Sequence, residues 1–295
     1  MSRLNKVCPA SPTFSLVAEQ RDDFAAHIDH LCLDALQREI MAWPKPGLVT
    51  PRDSGSHSDM DVHTFLASIA ALEGTFAAMA EAGAEDAEFC ELQAIGIDAE
   101  AAMLVATRGV NTHRGAIFNL GLLAAAAGLR RENDAWSGMS LGDIVVRRWG
   151  PAILATRPSG KGRSHGERVY ASYGVGGARA EAAAGFPTVY RFTLPHLRSL
   201  LAQGVDHDRA LVGALLALMA RVEDSNLVWR GGAAGLEYVW QRAAAFNGDG
   251  GVMQEDWCAQ LQDFHAALVA RQLSPGGSAD LTAVAWLVSV LESER

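Results

Sequence analysis

Apolar residues recur along this chain at the spacing of an α-helix far more often than at that of a strand. Leu211, Leu215, Leu218 and Val222 form one stripe, and Val212, Leu216 and Met219 form a second beside it. A helix with so wide an apolar face sits deep in a core. Ile117, Leu120 and Ala124 repeat the pattern earlier, and Leu281, Val284 and Val288 repeat it later. Alanine-rich stretches at 67–84 and 94–106 add helix propensity. Period-two alternation is nearly absent. The pattern predicts an all-α fold: a single-domain helical bundle over residues 1–295, with no internal repeat and no linker between two cores.

Glycine interrupts this pattern in a few places. The 29 glycines concentrate at 150–185, 231–235, 248–251 and 276–277. The run RPSGKGRSHGERVYASYGVGG (157–177) has few apolar anchors and reads as a long loop. Long loops in compact domains are usually functional or disordered. Closure of this one as a lid would exclude water from a site.

Composition narrows the class. Hydrophobic residues make up 49% and charged residues 20%, which excludes a disordered chain. The formal net charge is −9, without the basic footprint of a nucleic-acid binder. Cys8, Cys32, Cys90 and Cys258 are dispersed and form no CxxC, so neither a zinc ribbon nor a disulfide framework is expected. The first twenty residues contain no apolar signal-peptide core, and the most apolar stretch, 116–129, is broken by Asn119. A cytoplasmic protein with no membrane or nucleic-acid partner is expected.

Polar residues gather in short segments among the apolar ones. Pro44 and Pro46 end the helix that carries Glu39 and leave Lys45 in a stiff turn. His57, Asp59, Asp61 and His63 follow closely. If a helix starts near Asp59, Asp59 and His63 share a face, and the paired carboxylates suit a divalent cation. The alternative is a helix N-cap at Asp59 or Asp61. In GVNTHRGAIFNLG (109–121), His113 lies on the stripe of Ile117 and points inward. Beside it, Arg114 and Asn111 suit phosphate oxygens. In GGARAEAAAGFPTV (176–189), glycines precede a short helix and are compatible with N–H groups cradling an anion. Glu223 continues the stripe of Val212, Leu216 and Met219, and a buried acid there must be paired, protonated or metal-bound. Asp224 follows it. Ser278 is placed to cap the last helix, with Asp280 in its first turn.

Taken in order, these segments resemble one family. PKPGLV (44–49), HSDMD (57–61), GVNTHRGAIF (109–118), GFPTV (185–189), EDSNL (223–227) and SPGGSADL (274–281) closely resemble the triphosphoribosyl-dephospho-CoA synthase family. The likeness runs from about residue 39 to 291, and GVNTHRGAIF and SPGGSADL are its most specific parts. Two positions depart from the pattern: Ala180 stands where the family often has Gly, and Trp229 where a His is expected.

The resemblance implies an all-α enzyme that moves the 5-triphosphoribosyl group of ATP to 3′-dephospho-CoA and releases adenine. The product is the precursor of the prosthetic group on an acyl carrier protein subunit. The run DSGSH (53–57) leans toward malonate decarboxylase over citrate lyase. Such a transfer passes through an oxocarbenium-like state. It calls for a base for the attacking ribose 2′-hydroxyl and an acid for the adenine. Glu39, Asp61, Glu223 and Asp224 are the catalytic candidates. Mg²⁺ arriving with ATP is expected on Asp59, Asp61, Glu223 and Asp224. Lys45, His57, Asn111, His113, Arg114, Asn226 and Ser278 are the substrate-binding candidates. The sequence leaves open which carboxylate is base and which is metal ligand. A homodimer is expected for a helical enzyme of this size. Two other readings stand beside this one: a Mg²⁺-dependent helical nucleotide hydrolase, and a non-catalytic partner of the carrier protein.

Overall fold

The computed structural model describes residues 12–156 and 176–293, so most of the loop 157–177 lies outside the described residues. Within them the chain is helical and contains no strand, as the periodicity predicts. The helices are α1 (Pro12–Met41), α2 (Val62–Ala71), α3 (Thr75–Ala84), α4 (Phe89–Ala106), α5 (Arg114–Glu132) and α6 (Leu141–Ala155). They continue as α7 (Gly177–Ala183), α8 (Leu194–Ala202), α9 (His207–Met219), α10 (Ser225–Gly248), α11 (Trp257–Ala270) and α12 (Gly276–Leu291). No single helix among the described residues is long and apolar enough to cross a membrane. Cys32, Cys90 and Cys258 are free thiols.

Local chemistry sets several helix starts. Asp61 precedes α2 and accepts the Thr64 N–H, while Thr64 answers the Asp61 N–H, a reciprocal capping box. Ser140 caps α6 through the Asp143 N–H, and Asp206 caps α9 through that of Arg209. The apolar stripe of α9 does not run on to Val222: the helix ends at Met219 and the chain turns through Arg221–Glu223. α10 is bent at Gly232, whose φ of 63° suits glycine.

α5 is the axis of the bundle. It is buried almost throughout and packs on α1, α3, α4, α6 and α12. Its contact with α3 is backbone on backbone. A Cβ at Gly83 would overlap the Ala125 carbonyl, and one at Gly128 would overlap the Ala80 carbonyl. α9 and α12 form the other buried pair, with α12 also resting on α1 and α5. The N-termini of α5, α10 and α12 border one cleft, and that convergence positions the polar segments.

Candidate active site

The cleft has a volume of about 1490 Å³. Ligand pockets ordinarily span roughly 300–1,000 Å³, so this one has room for more than a single small ligand. Its walls come from α1, the turn after it, α4, α5, α7, the turn before α10, and α12. The inner end is apolar, with Leu36, Ile40, Met79 and Leu122, and Trp229 stands on the rim.

Lys45, Arg114, Arg179, Arg221 and Arg230 all line this cleft in a chain of net charge −9. That concentration suits a polyanion. Lys45 is buried and anchored: its Nζ donates to Glu39 Oε1 at 2.7 Å and to the Glu39 carbonyl at 2.6 Å. Burial pulls its ammonium below the ordinary value, against the pull of the Glu39 charge. Arg114 donates from Nε to Glu100 at 2.7 Å. Arg179 is held by the Ile153 and Thr156 carbonyls. Arg230 donates to the Ser56 carbonyl at 2.9 Å and to His57 Nδ1 at 3.1 Å.

That last bond fixes the tautomer of His57. A guanidinium only donates, so Nδ1 accepts and Nε2 carries the proton, 2.8 Å from Ser274 Oγ. Burial and the Arg230 charge lower the His57 pKa despite Asp59 nearby, so His57 acts as a neutral group. His113 is neutral for a stronger reason. Burial, with the Lys45 charge adding, brings it to about 3. Its Nδ1 lies 2.7 Å from Ser68 Oγ, while Nε2 has no hydrogen-bond partner among the described residues. Both amide atoms of Asn119 and the hydroxyl of Thr112 are also buried on the cleft wall without partners among the described residues. Buried polar atoms are rarely left unpaired, so these mark where a ligand or water completes the network.

The acids divide by how fully they are engaged. Asp224 Oδ1 accepts from the N–H groups of Asn226 (2.9 Å) and Leu227 (3.4 Å) at the start of α10. Oδ2 accepts from the Ser278 N–H at 2.8 Å and its Oγ at 3.1 Å, at the start of α12. The residue therefore caps two helices, and burial still holds its carboxyl above the usual range. Glu181, also raised by burial, accepts from the Thr188 N–H and hydroxyl. Glu223 and Asp59 are exposed on the cleft wall.

Comparison with known proteins joins this cleft to an enzyme family. A profile described as ATP:dephospho-CoA triphosphoribosyl transferase (CitG) matches residues 25–295. The chain is 40% identical over 291 residues to a 2-(5″-triphosphoribosyl)-3′-dephosphocoenzyme-A synthase of Pectobacterium atrosepticum, covering 96% of this chain and 95% of that one. A synthase of the same name from Klebsiella pneumoniae is 41% identical over 264 residues, covering 86% and 87%. A probable one from Acinetobacter calcoaceticus is 38% identical over 271 residues, covering 92% of each. The chain belongs to the ATP:dephospho-CoA triphosphoribosyl transferase family. No solved structure matches it significantly.

The structure brings most of the expected transferase residues to the cleft: Glu39, Lys45, His57, Asp59, Asn111, His113, Arg114, Glu223, Asp224 and Asn226 all line it. Asp61 does not; it is exposed and committed to capping α2, because the helix starts at Val62 rather than near Asp59. Nor does Ser278 cap the last helix itself. It lies within the first turn of α12, and the capping acceptor is Asp224 from 54 residues away. The engaged oxygens of Asp224 also leave it poorly placed as a metal ligand. Asn111 accepts the Arg114 N–H at 3.2 Å and so shapes the start of α5. Arg179, Arg221, Arg230, Asn119 and Asp280 line the cleft as well and were not among the sequence candidates.

No three His, Cys, Asp or Glu side chains among the described residues converge as a metal cage. Mg²⁺ does not require one, since it usually takes one or two carboxylates and completes its shell with substrate phosphates and water. Asp59 and Glu223, exposed on the wall, fit that partial role.

Proposed function

We propose that this chain transfers the 5-triphosphoribosyl group of ATP to the 2′-hydroxyl of 3′-dephospho-CoA with loss of adenine. The observation that carries this reading is the cleft itself: space beyond one small ligand, lined by Lys45 and four arginines, with neutral buried hydrogen-bonding groups deeper in. The arginines hold phosphates through charge-assisted hydrogen bonds. The neutral imidazole of His113 and the amide of Asn119 meet uncharged polar atoms of sugar or base. The apolar inner end shelters an oxocarbenium-like ribose from water.

Mg²⁺ supplied with ATP would be held by Asp59 and would neutralise part of the triphosphate charge. Glu223, exposed on the cleft wall and without a partner among the described residues, is our choice as acceptor of the hydroxyl proton. Glu39 is locked to Lys45 and sets the field of the site. The run at 53–57 favours the prosthetic group of malonate decarboxylase as the destination, reached through its acyl carrier subunit. A homodimer is expected, and light scattering that returns the mass of one chain would remove that expectation.

The experiment is adenine release from ATP and Mg²⁺, with and without 3′-dephospho-CoA, followed by mass analysis of the CoA product. Adenine that appears only with dephospho-CoA, beside a product heavier by one triphosphoribosyl group, is the expected result. Adenine or phosphate released without the acceptor would make the protein a hydrolase. No turnover and no thermal shift with MgATP would leave a non-catalytic partner.

A further inference from the structure

Among the described residues, Asp280 is a cleft carboxylate with no cation paired to it and two carboxylates for neighbours. Asp280 stands in the second turn of α12 and lines the cleft. Gly115 of α5 lies so close that a Cβ there would overlap its Oδ2. The Ala116 N–H faces it and favours its charged form. The charged groups around it come from every neighbouring element. Glu39 approaches from α1 and Asp224 from the start of α10. Lys45, the nearby cation, is spent on Glu39 at 2.7 Å. Arg114, beside Gly115, is paired with Glu100 at 2.7 Å. His113 is neutral.

Three carboxylates thus share one region, and two are satisfied. Glu39 has its ammonium and Asp224 has its helix N–H groups. Asp280 has only the facing Ala116 N–H and two like-charged neighbours. The cheapest arrangement gives it a proton. Burial and the charges of Glu39 and Asp224 hold its carboxyl well above the usual range. The other raised acids of the cleft, Asp224 and Glu181, spend their oxygens as acceptors, Asp224 from Asn226, Leu227 and Ser278 and Glu181 from Thr188, and neither has a proton aimed at a ligand.

We propose that Asp280 is the catalytic acid of this cleft, donating its proton to the departing adenine. The proposal rests on the transferase reading above and names the group that completes it. The 2′-hydroxyl oxygen bonds to C1′ of the ATP ribose, and the C1′–N9 bond breaks with its electron pair passing into the base. The Asp280 proton moves to N7, so adenine leaves neutral. The hydroxyl proton, taken up by a cleft carboxylate, returns to Asp280 between turnovers, and no proton is consumed.

The test compares wild type and Asp280→Asn on ATP and on an ATP analogue methylated at N7, whose base leaves without needing a proton. The expected loss with ATP is about 10²–10⁴-fold in kcat, with KM changed by less than about threefold. The methylated analogue should restore the variant to within about tenfold of wild type. The ratio of the two rates within one preparation does not depend on how much of the variant is folded. Equal slowing on both substrates, or an unchanged rate with ATP, overturns the proposal. A wild-type protein that releases no adenine from ATP overturns the transferase reading and the acid with it.

Discussion

Asp224 and Ser278, 54 residues apart, are joined by two hydrogen bonds of 2.8 and 3.1 Å from the N–H and hydroxyl of Ser278 to one carboxylate oxygen. The other oxygen caps α10. One side chain therefore ties two helix starts together at the mouth of the cleft. Each helix cap is worth about 1 kcal/mol, and up to about 2. Asp224→Ala should then cost about 2–4 kcal/mol in urea unfolding and abolish turnover by letting the two helix starts separate. Asp224→Asn keeps one acceptor oxygen and should lose about half as much stability. Equal stability for the alanine variant and the parent would contradict the double cap.

Lys45 and Glu39 form a buried pair whose members do not tolerate separation. Removing one partner leaves an uncompensated charge, at a cost of about 3–5 kcal/mol. Lys45→Met alone should show a loss of that order. Adding Glu39→Gln should recover most of it, because the stranded carboxylate is gone. A double variant as unstable as the single one would show that packing, not charge, sets the cost.

His113 makes the fold sensitive to acid. Its imidazole goes from the ordinary 6.5 to about 3 in the folded protein, through burial and then the Lys45 charge. Below pH 6.5 the unfolded chain takes up a proton that the folded one refuses. Stability from this residue is thus complete above pH 6.5 and is lost as pH falls toward 3. Complete loss would amount to roughly 5 kcal/mol at about 1.36 kcal/mol per pH unit. His113→Gln should flatten the drop in unfolding free energy between pH 7 and pH 5. An undiminished drop would assign the acid sensitivity to other groups.

Asn119 carries a buried donor and acceptor with no partner among the described residues. An unmet buried polar group costs about 1–3 kcal/mol. Asn119→Leu should raise the melting temperature of the free protein and raise KM for ATP or dephospho-CoA. Which substrate is affected shows which one it meets. Higher stability with both KM values unchanged would mean that water alone serves the amide.

The helical periodicity made the bundle legible because α5, α9 and α12 bury most of their circumference, and burial writes itself as apolar spacing. The motif acids and bases were legible as clusters. What misled was the continuity of an apolar stripe through Val222. It placed Glu223 on the end of a helix, while Asp224 was already the cap of the next one. Asp280 read as an ordinary first-turn acid, and only the packing of Gly115 against it reveals a crowded carboxyl. Arg221 and Arg230 carried no signal, since single arginines in helical sequence look like solvated positions. Their place on the cleft follows from the chain turn at 221–223 and the approach of the Ser56–His57 loop.

The meeting of Gly83 with Ala125 and of Gly128 with Ala80 has a mechanical consequence. Most helix pairs are separated by a layer of side chains that can re-pack, and such layers let helices slide. α3 and α5 have no such layer along this seam. Shifting either one along its axis would drive side-chain carbons into carbonyl oxygens. The helix that begins at Arg114 and carries Asn119 is thereby a fixed wall of the cleft, held true by two glycines that do not themselves line it.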